Sequence, residues 1–242
     1  MTSLEVKSVS KSYNNRVACR DINLRFDQGK ITGIFGANGA GKSTSFHMIS
    51  GLIRPDSGSI FLGSDDISHL ALYQRASFGL GFLPQDESVF RGLTVEQNLQ
   101  CMLQLCHLTK AERQQRLEYL INAFSLSKVR FTLGHLLSGG ERRRTEIARA
   151  MANKPKFLLL DEPFSGVDPI SIQEIKTLLK TIQKNDGVGV VITDHNVVAT
   201  LPMCDYAFIM HLGKVIAEGP PQEIANNSLA RKHYLGDSLD AN

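Results

Sequence analysis

Residues 31–51, ITGIFGANGAGKSTSFHMISG, constrain this chain more than any other stretch. A continuous apolar run reads as a buried strand. A glycine-rich turn follows it, and apolar residues then recur at helical spacing as far as Gly51. Gly36, Gly41, Lys42 and Ser43 fit the pattern G-x-x-x-x-G-K-[ST] in the strand-loop-helix setting that the pattern requires. Glycines let a backbone wrap a polyphosphate with several N–H groups turned inward, and the following helix adds the positive end of its dipole. The loop Gly36, Ala37, Asn38, Gly39, Ala40, Gly41, Lys42, Ser43 and Thr44 is therefore expected to hold the phosphates of a nucleotide. Lys42 would reach the β and γ phosphates, and the Ser43 hydroxyl would take one position on Mg²⁺.

A chain of 242 residues suffices for one large domain with a sizeable insertion. Net charge of +3, with no basic run interleaved with aromatics, gives no footing for nucleic acid. Cysteines at 19, 101, 106 and 204 form no CxxC pair and the histidines are scattered, which argues for reduced thiols in a cytoplasmic protein and against zinc. No signal peptide is evident at the start and no apolar run approaches bilayer length, so any membrane contact is expected through partner subunits. Arg142, Arg143 and Arg144 form the densest cationic cluster. Spread around a helix, they are expected to lie on a solvated or interface face.

Along the chain, Leu4-Val6 and Ile22-Leu24-Phe26 read as short strands with a tight turn at Asn14-Asn15. Ser59–Leu62 reads as a strand, Ser68–Ser77 as a short helix and Gly81–Leu83 as a buried strand ending at Pro84-Gln85. From Asp86 the character becomes helical. Thr94-x-x-Gln97 and Thr109-x-x-Glu112 are capping boxes, each ahead of apolar residues at helical spacing. A third helix, following Leu137-Ser138-Gly139-Gly140-Glu141, is expected to stop near Asn153, before Pro155. Phe157–Leu160 is a buried strand, Asp168 an N-cap with Pro169 in the first turn of a helix to about Lys184, and Val188–Thr193 another buried strand. Tyr206–Met210 and Lys214–Ala217 flank His211-Leu212-Gly213 as a hairpin, and a short helix with a polar end closes the chain.

Two further stretches carry chemistry. Asp161 and Glu162 end a buried strand, at the sheet edge where α/β proteins bind ligands. Asp161 is placed to hold Mg²⁺, and Glu162 to polarise a water for in-line attack on a γ-phosphate. Ser138-x-x-Glu141 is a capping box, and the glycines inside it leave N–H groups that can form a second phosphate nest. These two phosphate elements need not serve the same nucleotide from the same chain.

GANGAGKS, Gln85, LSGGE, LLLDEP, Ser165-Gly166-Val167-Asp168 and His195 stand in the order and spacing of the nucleotide-binding domain of ATP-binding-cassette (ABC) proteins. The chain resembles that family over essentially its whole length. The resemblance implies an α/β fold: a RecA-like P-loop core (1–85 and 156–220) with an N-terminal antiparallel β subdomain, a helical insertion (86–155) and a C-terminal extension (221–242). It also implies a homodimer in which the phosphate loop of one subunit and the LSGGE of the other enclose each ATP. It assigns Tyr13 to adenine stacking, Gln85 to a sensor near Mg²⁺ and the attacking water, His195 to the γ-phosphate and Asp168 to a cross-dimer link. LPQDESVFRGLTVEQNL, LSGGERRRTEIARA, DEPFSGVDPIS and HYLGD look most like the ATPases of bacterial lipopolysaccharide export, with branched-chain amino-acid importers as the alternative. Such a subunit is expected on the cytoplasmic face of the inner membrane with two transmembrane permease subunits. Phe90 and Arg91 are expected to grip them, with Gly92 as a backbone pivot.

Overall fold

The computed structural model describes residues 2–14 and 16–232. Asn15 of the expected turn and the 233–242 end of the expected C-terminal extension, including HYLGD, lie outside the described residues.

The chain opens with β1 (Ser3–Tyr13) and β2 (Arg16–Asp27), and then β3 (Ile31–Phe35) leads through the glycine loop into α1 (Lys42–Ser50). β4 (Ser57–Leu62), β5 (Asp65–Asp66), α2 (Leu72–Phe78) and β6 (Leu80–Leu83) follow. Next come α3 (Val95–Gln104), α4 (Lys110–Ala123) and α5 (Gly139–Ala150). The α/β alternation resumes with β7 (Phe157–Asp161), α6 (Pro169–Asp186), β8 (Gly189–Asp194) and the short α7 (Val197–Thr200). β9 (Tyr206–His211), β10 (Lys214–Gly219), α8 (Pro221–Asn226) and α9 (Ser228–Ala230) complete it.

One sheet is antiparallel in the order β2-β1-β4-β5, and the other runs β10-β9-β3-β8-β7-β6 with only β10 antiparallel to its neighbour. The continuous apolar sequence of β7 follows from its central place. Leu158 and Leu160 enter the core beneath α3–α6, while Phe157 and Leu159 enter the core shared with the antiparallel sheet. Register decides where function can sit: Phe35 pairs with Asp194 and Thr193 with Asp161, so β3, β7 and β8 end together. The glycine loop, the Asp161-Glu162 pair and His195 leave from that common edge.

The following elements differ from expectation in ways the structure explains. β1 and β2 are one long hairpin rather than short pieces, because bulges at Ser8 (φ 52°) and Asp21 (φ 50°) interrupt the alternation that marks a strand. α2 begins at Leu72 rather than Ser68, whose Oγ instead donates to Asp66 Oδ1 (2.5 Å) and accepts from Ile60 N (2.8 Å). α5 ends at Ala150, short of Asn153, in turns that finish at Lys154 with φ 48°. α6 runs on to Asp186 and stops where Gly187 turns left-handed at φ 65°.

Candidate active site

The start of α1 differs from the other long helices. Thr94, Thr109, Ser138 and Asp168 cap α3, α4, α5 and α6 with side-chain oxygens, whereas α1 begins at Gly41 (φ 101°) with no side-chain cap and no acid in its first turn. Helix N–H groups left this way suit an anion. Lys42 is 5% exposed, and its Nζ donates to the carbonyls of Gly36 (2.6 Å) and Ala37 (3.1 Å). Burial holds its ammonium below the ordinary lysine value, against the opposing pull of Glu162, Asp161 and Asp194. A buried cation whose hydrogen bonds are to loop carbonyls calls for a negative ligand. Gly36 is required sterically as well, since a Cβ there would lie 2.4 Å from Met210 O. Ala40 shapes the loop from beneath: its methyl is in the core and its N–H donates to Ala37 O (3.1 Å).

A cleft of about 930 Å³ brings Tyr13, Asn38, Gly39, Gly41, Lys42, Ser43 and Thr44 together with Gln85, Glu162, Ser165 and His195. Gln85 Nε2 donates to Glu162 Oε2 at 3.1 Å, and His195 Nδ1 stands 3.4 Å from the same oxygen. Glu162 has φ 43°, an unusual value for glutamate, and its N–H donates to both the carbonyl and the hydroxyl of Thr193 at 3.1 Å. The turn thus lifts the Glu162 carboxylate out of the strand and toward Gln85. Asp161, by contrast, is buried, with Oδ1 accepting from Thr193 Oγ1 (2.5 Å) and Oδ2 3.5 Å from His47 Nε2. Ser43 offers a hydroxyl, Gln85 an amide oxygen and Asp161 a carboxylate, all hard oxygen donors. That fits Mg²⁺, which keeps waters and takes phosphate oxygens.

Ser138, Gly139, Gly140 and Glu141 do not line this cleft. Ser138 Oγ accepts from Glu141 N (3.3 Å), and the Glu141 carboxylate takes the Ser138 N–H (2.9 Å) and hydroxyl (2.8 Å). The nest therefore offers the N–H groups of Gly139 and Gly140, beside an acid. Gly140 is packed so tightly on α6 that a Cβ would lie 2.3 Å from Ser171 Oγ. Asp168 caps that helix, accepting from Ile170 N (3.1 Å) and Ser171 N (3.0 Å), and hydrogen bonding from the Ser171 side chain, followed by these backbone bonds, holds its carboxyl below the usual range.

Sequence reasoning missed Arg143. The arginine triple does not spread over a solvated face: Arg142 pairs with Glu87 (2.7 Å) and Arg144 with Glu174 (2.6 Å), but Arg143 is 6% exposed. Its guanidinium donates to the carbonyls of Pro163 (2.9 Å), Asp161 (3.2 Å), Glu162 (3.4 Å) and Pro84 (3.3 Å), and to Glu146 Oε2 (3.0 Å). It therefore ties α5 to the backbone on both sides of the Gln85–Glu162 pair. Only Glu146, one turn further along the same helix, hinted at it. Glu146 Oε1 accepts from Ser88 N (2.7 Å), the Arg149 side chain donates to Ser88 O, and the Arg149 guanidinium lies 4.5 Å from the centre of the Phe90 ring. Phe90 is 47% exposed, while buried Asn98 grips its backbone N–H (2.8 Å) and carbonyl (3.1 Å). Arg91 is also exposed. Gly92 has no positive φ and a Cβ there would meet open space, so this conformation does not itself require glycine.

The sequence pattern of the ABC transporter family matches residues 19–165, and that of the C-terminal part of branched-chain amino acid ATP-binding cassette transporters matches residues 214–240. The chain belongs to the ABC transporter family of ATP-binding subunits. It is 50% identical over 236 residues, 98% of each chain, to the lipopolysaccharide export system ATP-binding protein LptB of Acidithiobacillus ferridurans. It is 47% identical over 240 residues, 99% of each chain, to the LptB of Haemophilus influenzae. Among solved structures, a dimeric ATP-binding cassette in a post-hydrolysis state bound to ADP and Pi superposes with a TM-score of 0.79 at 26% identity. That match covers 90% of this chain and 98% of the other. The fold is thus that of an ABC nucleotide-binding domain, and the protein is an ABC ATPase. No helix among its described residues is long and apolar enough to cross a membrane.

Proposed function

We propose that this ABC ATPase powers lipopolysaccharide extraction and export, as a homodimer on the cytoplasmic face of the inner membrane bound to two transmembrane permease subunits. The observation that carries this reading is the likeness to LptB over 98% of both chains. In this reading the whole chain is a single ATPase domain, with a core of 1–85 and 156–220, a helical part of 86–155 and an extension of 221–242.

The site's own residues then take these roles. The uncapped start of α1 and Lys42 bind the β and γ phosphates, and Tyr13 stacks on the base. When bound, Mg²⁺ supplies neutralising charge at those phosphates, with Ser43, Gln85 and Asp161 as the residues that would hold it. Glu162, fixed by Gln85, accepts a proton from the attacking water, and His195 steadies the γ-phosphate as charge shifts toward the leaving oxygen. Ser138, Gly139, Gly140 and Glu141, which lie off this cleft, close the partner's site, with Asp168 at the junction. Half-exposed Phe90, with Arg91 at its rim, receives the permease.

The test is reconstitution with two lipopolysaccharide-export permease subunits in vesicles containing lipopolysaccharide. ATP-dependent release of lipopolysaccharide to an acceptor, lost with Glu162→Gln, is the expected result. Failure to assemble with such permeases sinks the reading. The match at residues 214–240 favours a branched-chain amino-acid importer as the second reading, and ATP-driven leucine uptake with importer permeases would decide for it.

A further inference from the structure

The turn between β9 and β10 carries a leucine where backbone and solvent both argue against one. Leu212 has φ 46°, a conformation that glycine or asparagine adopts at little cost, and its side chain is 78% exposed. The turn is fastened in place. Gly213 N–H donates to Ala40 O in the phosphate loop (2.9 Å), and Arg20 N–H donates to Gly213 O (2.9 Å). Packing seals the same junction, since a Cβ on Gly41 would lie 3.3 Å from Gly213 Cα and one on Gly213 would lie 2.6 Å from Ala18 O. Leu212 lines the same cleft as Lys42, and so do Tyr13 (44% exposed) and Val17 (42% exposed). Three large apolar side chains are thus left in water on one cleft, on segments adjoining the phosphate loop.

We propose that Leu212 clamps the nucleotide base and sets a preference for purines. This rests on the reading of the cleft as an ATP site. A base has flat apolar faces that gain from stacking on Tyr13 and from contact with branched aliphatic groups such as Val17 and Leu212. Recognition by covered area favours the larger purine over a pyrimidine, without reading its hydrogen-bonding edge. An unfavourable backbone conformation and an exposed leucine are then both kept for one contact, made when nucleotide is bound.

The experiment measures equilibrium binding of ATP, CTP and inorganic tripolyphosphate, each with Mg²⁺, to the full chain and to Leu212→Asn and Leu212→Gly. Both replacements accept positive φ, so melting temperatures should be unchanged or higher. Loss of a contact of some 40 Å² should weaken ATP about five-fold in both variants. Tripolyphosphate affinity should stay constant, and the preference for ATP over CTP should narrow. ATP affinity that is unchanged in both variants overturns the proposal, as does equal weakening of tripolyphosphate. Loss of ATP-dependent self-association with intact ATP affinity also overturns it, and assigns Leu212 to a subunit contact. If the wild type binds neither ATP nor tripolyphosphate, the reading of the cleft itself fails.

Discussion

Lys42 and Glu162 are single residues held in costly states at the candidate site, one by burial and one by positive φ. The Lys42 ammonium is buried and held below its ordinary pKa, so its charged form burdens the ligand-free fold, and that burden eases as pH rises through the depressed value. Lys42→Met should therefore keep or raise the melting temperature without nucleotide, and should abolish the increase that ATP gives the wild type. Scanning calorimetry with and without ATP checks both, and a fall in the ligand-free value would contradict the account. Glu162 sits at positive φ so that its carboxylate meets Gln85 and His195. In the proposed mechanism Glu162 is the proton acceptor, and Glu162→Gln removes it while keeping that backbone, so turnover should drop on the order of 10²-fold or more while ATP binding persists. Steady-state hydrolysis measured beside nucleotide binding separates the two effects.

At the scale of elements, α5 and the turns around it are held by buried or bidentate ion pairs. Arg143 and Glu146 have side chains 7% and 2% exposed. Removing Arg143 strands the Glu146 carboxylate as well as its carbonyl partners, so Arg143→Met should destabilise by roughly 3 kcal/mol, and Glu146→Met should cost less in that background than in the wild type. Urea denaturation of the three proteins measures it, and simple additivity of the single changes would show that the pair is not coupled. Arg130 braces α3 and α4 more openly, donating to both oxygens of Glu96 and of Glu118. Those bonds hold both carboxyls below their ordinary value of 4.5. A carboxylate depressed in this way stabilises the fold above its unfolded value and loses that contribution as pH falls through its folded one. Arg130→Met should thus lower the melting temperature at neutral pH, with the gap to wild type closing below about pH 4. The capping boxes and the phosphate loop were legible in sequence because each is written in neighbouring residues. Arg143 was not, because its carbonyl partners at Pro84, Asp161, Glu162 and Pro163 come from distant segments that only the sheet brings together. The bulges at Ser8 and Asp21 hid β1 and β2 for a related reason: they break the alternation by which a strand is read.

For the whole molecule the central fact is separation: the cleft that gathers Lys42, Gln85, Glu162 and His195 is not lined by Ser138, Gly139, Gly140 or Glu141. A helix start with glycine N–H groups that does not line the cleft of its own chain can serve the phosphates bound by another. The contact of Gly140 with Ser171 packs that helix start against α6, which follows Glu162 in sequence. A mixing experiment tests the arrangement. Lys42→Ala homodimers have two damaged phosphate loops, and Ser138→Arg homodimers have two damaged nests. In a mixed dimer, one composite site carries both lesions and the other carries neither. Equal mixing gives about half mixed dimers, each with one intact site, so activity should rise from near zero to at most about a quarter of wild type. If each ATP were served by one chain alone, neither subunit would have a complete site and mixing would restore nothing. Verifying the mixed dimer with two affinity tags before assay makes a silent result informative: a purified mixed dimer without activity would mean either that the sites do not act in trans or that turnover requires both sites intact.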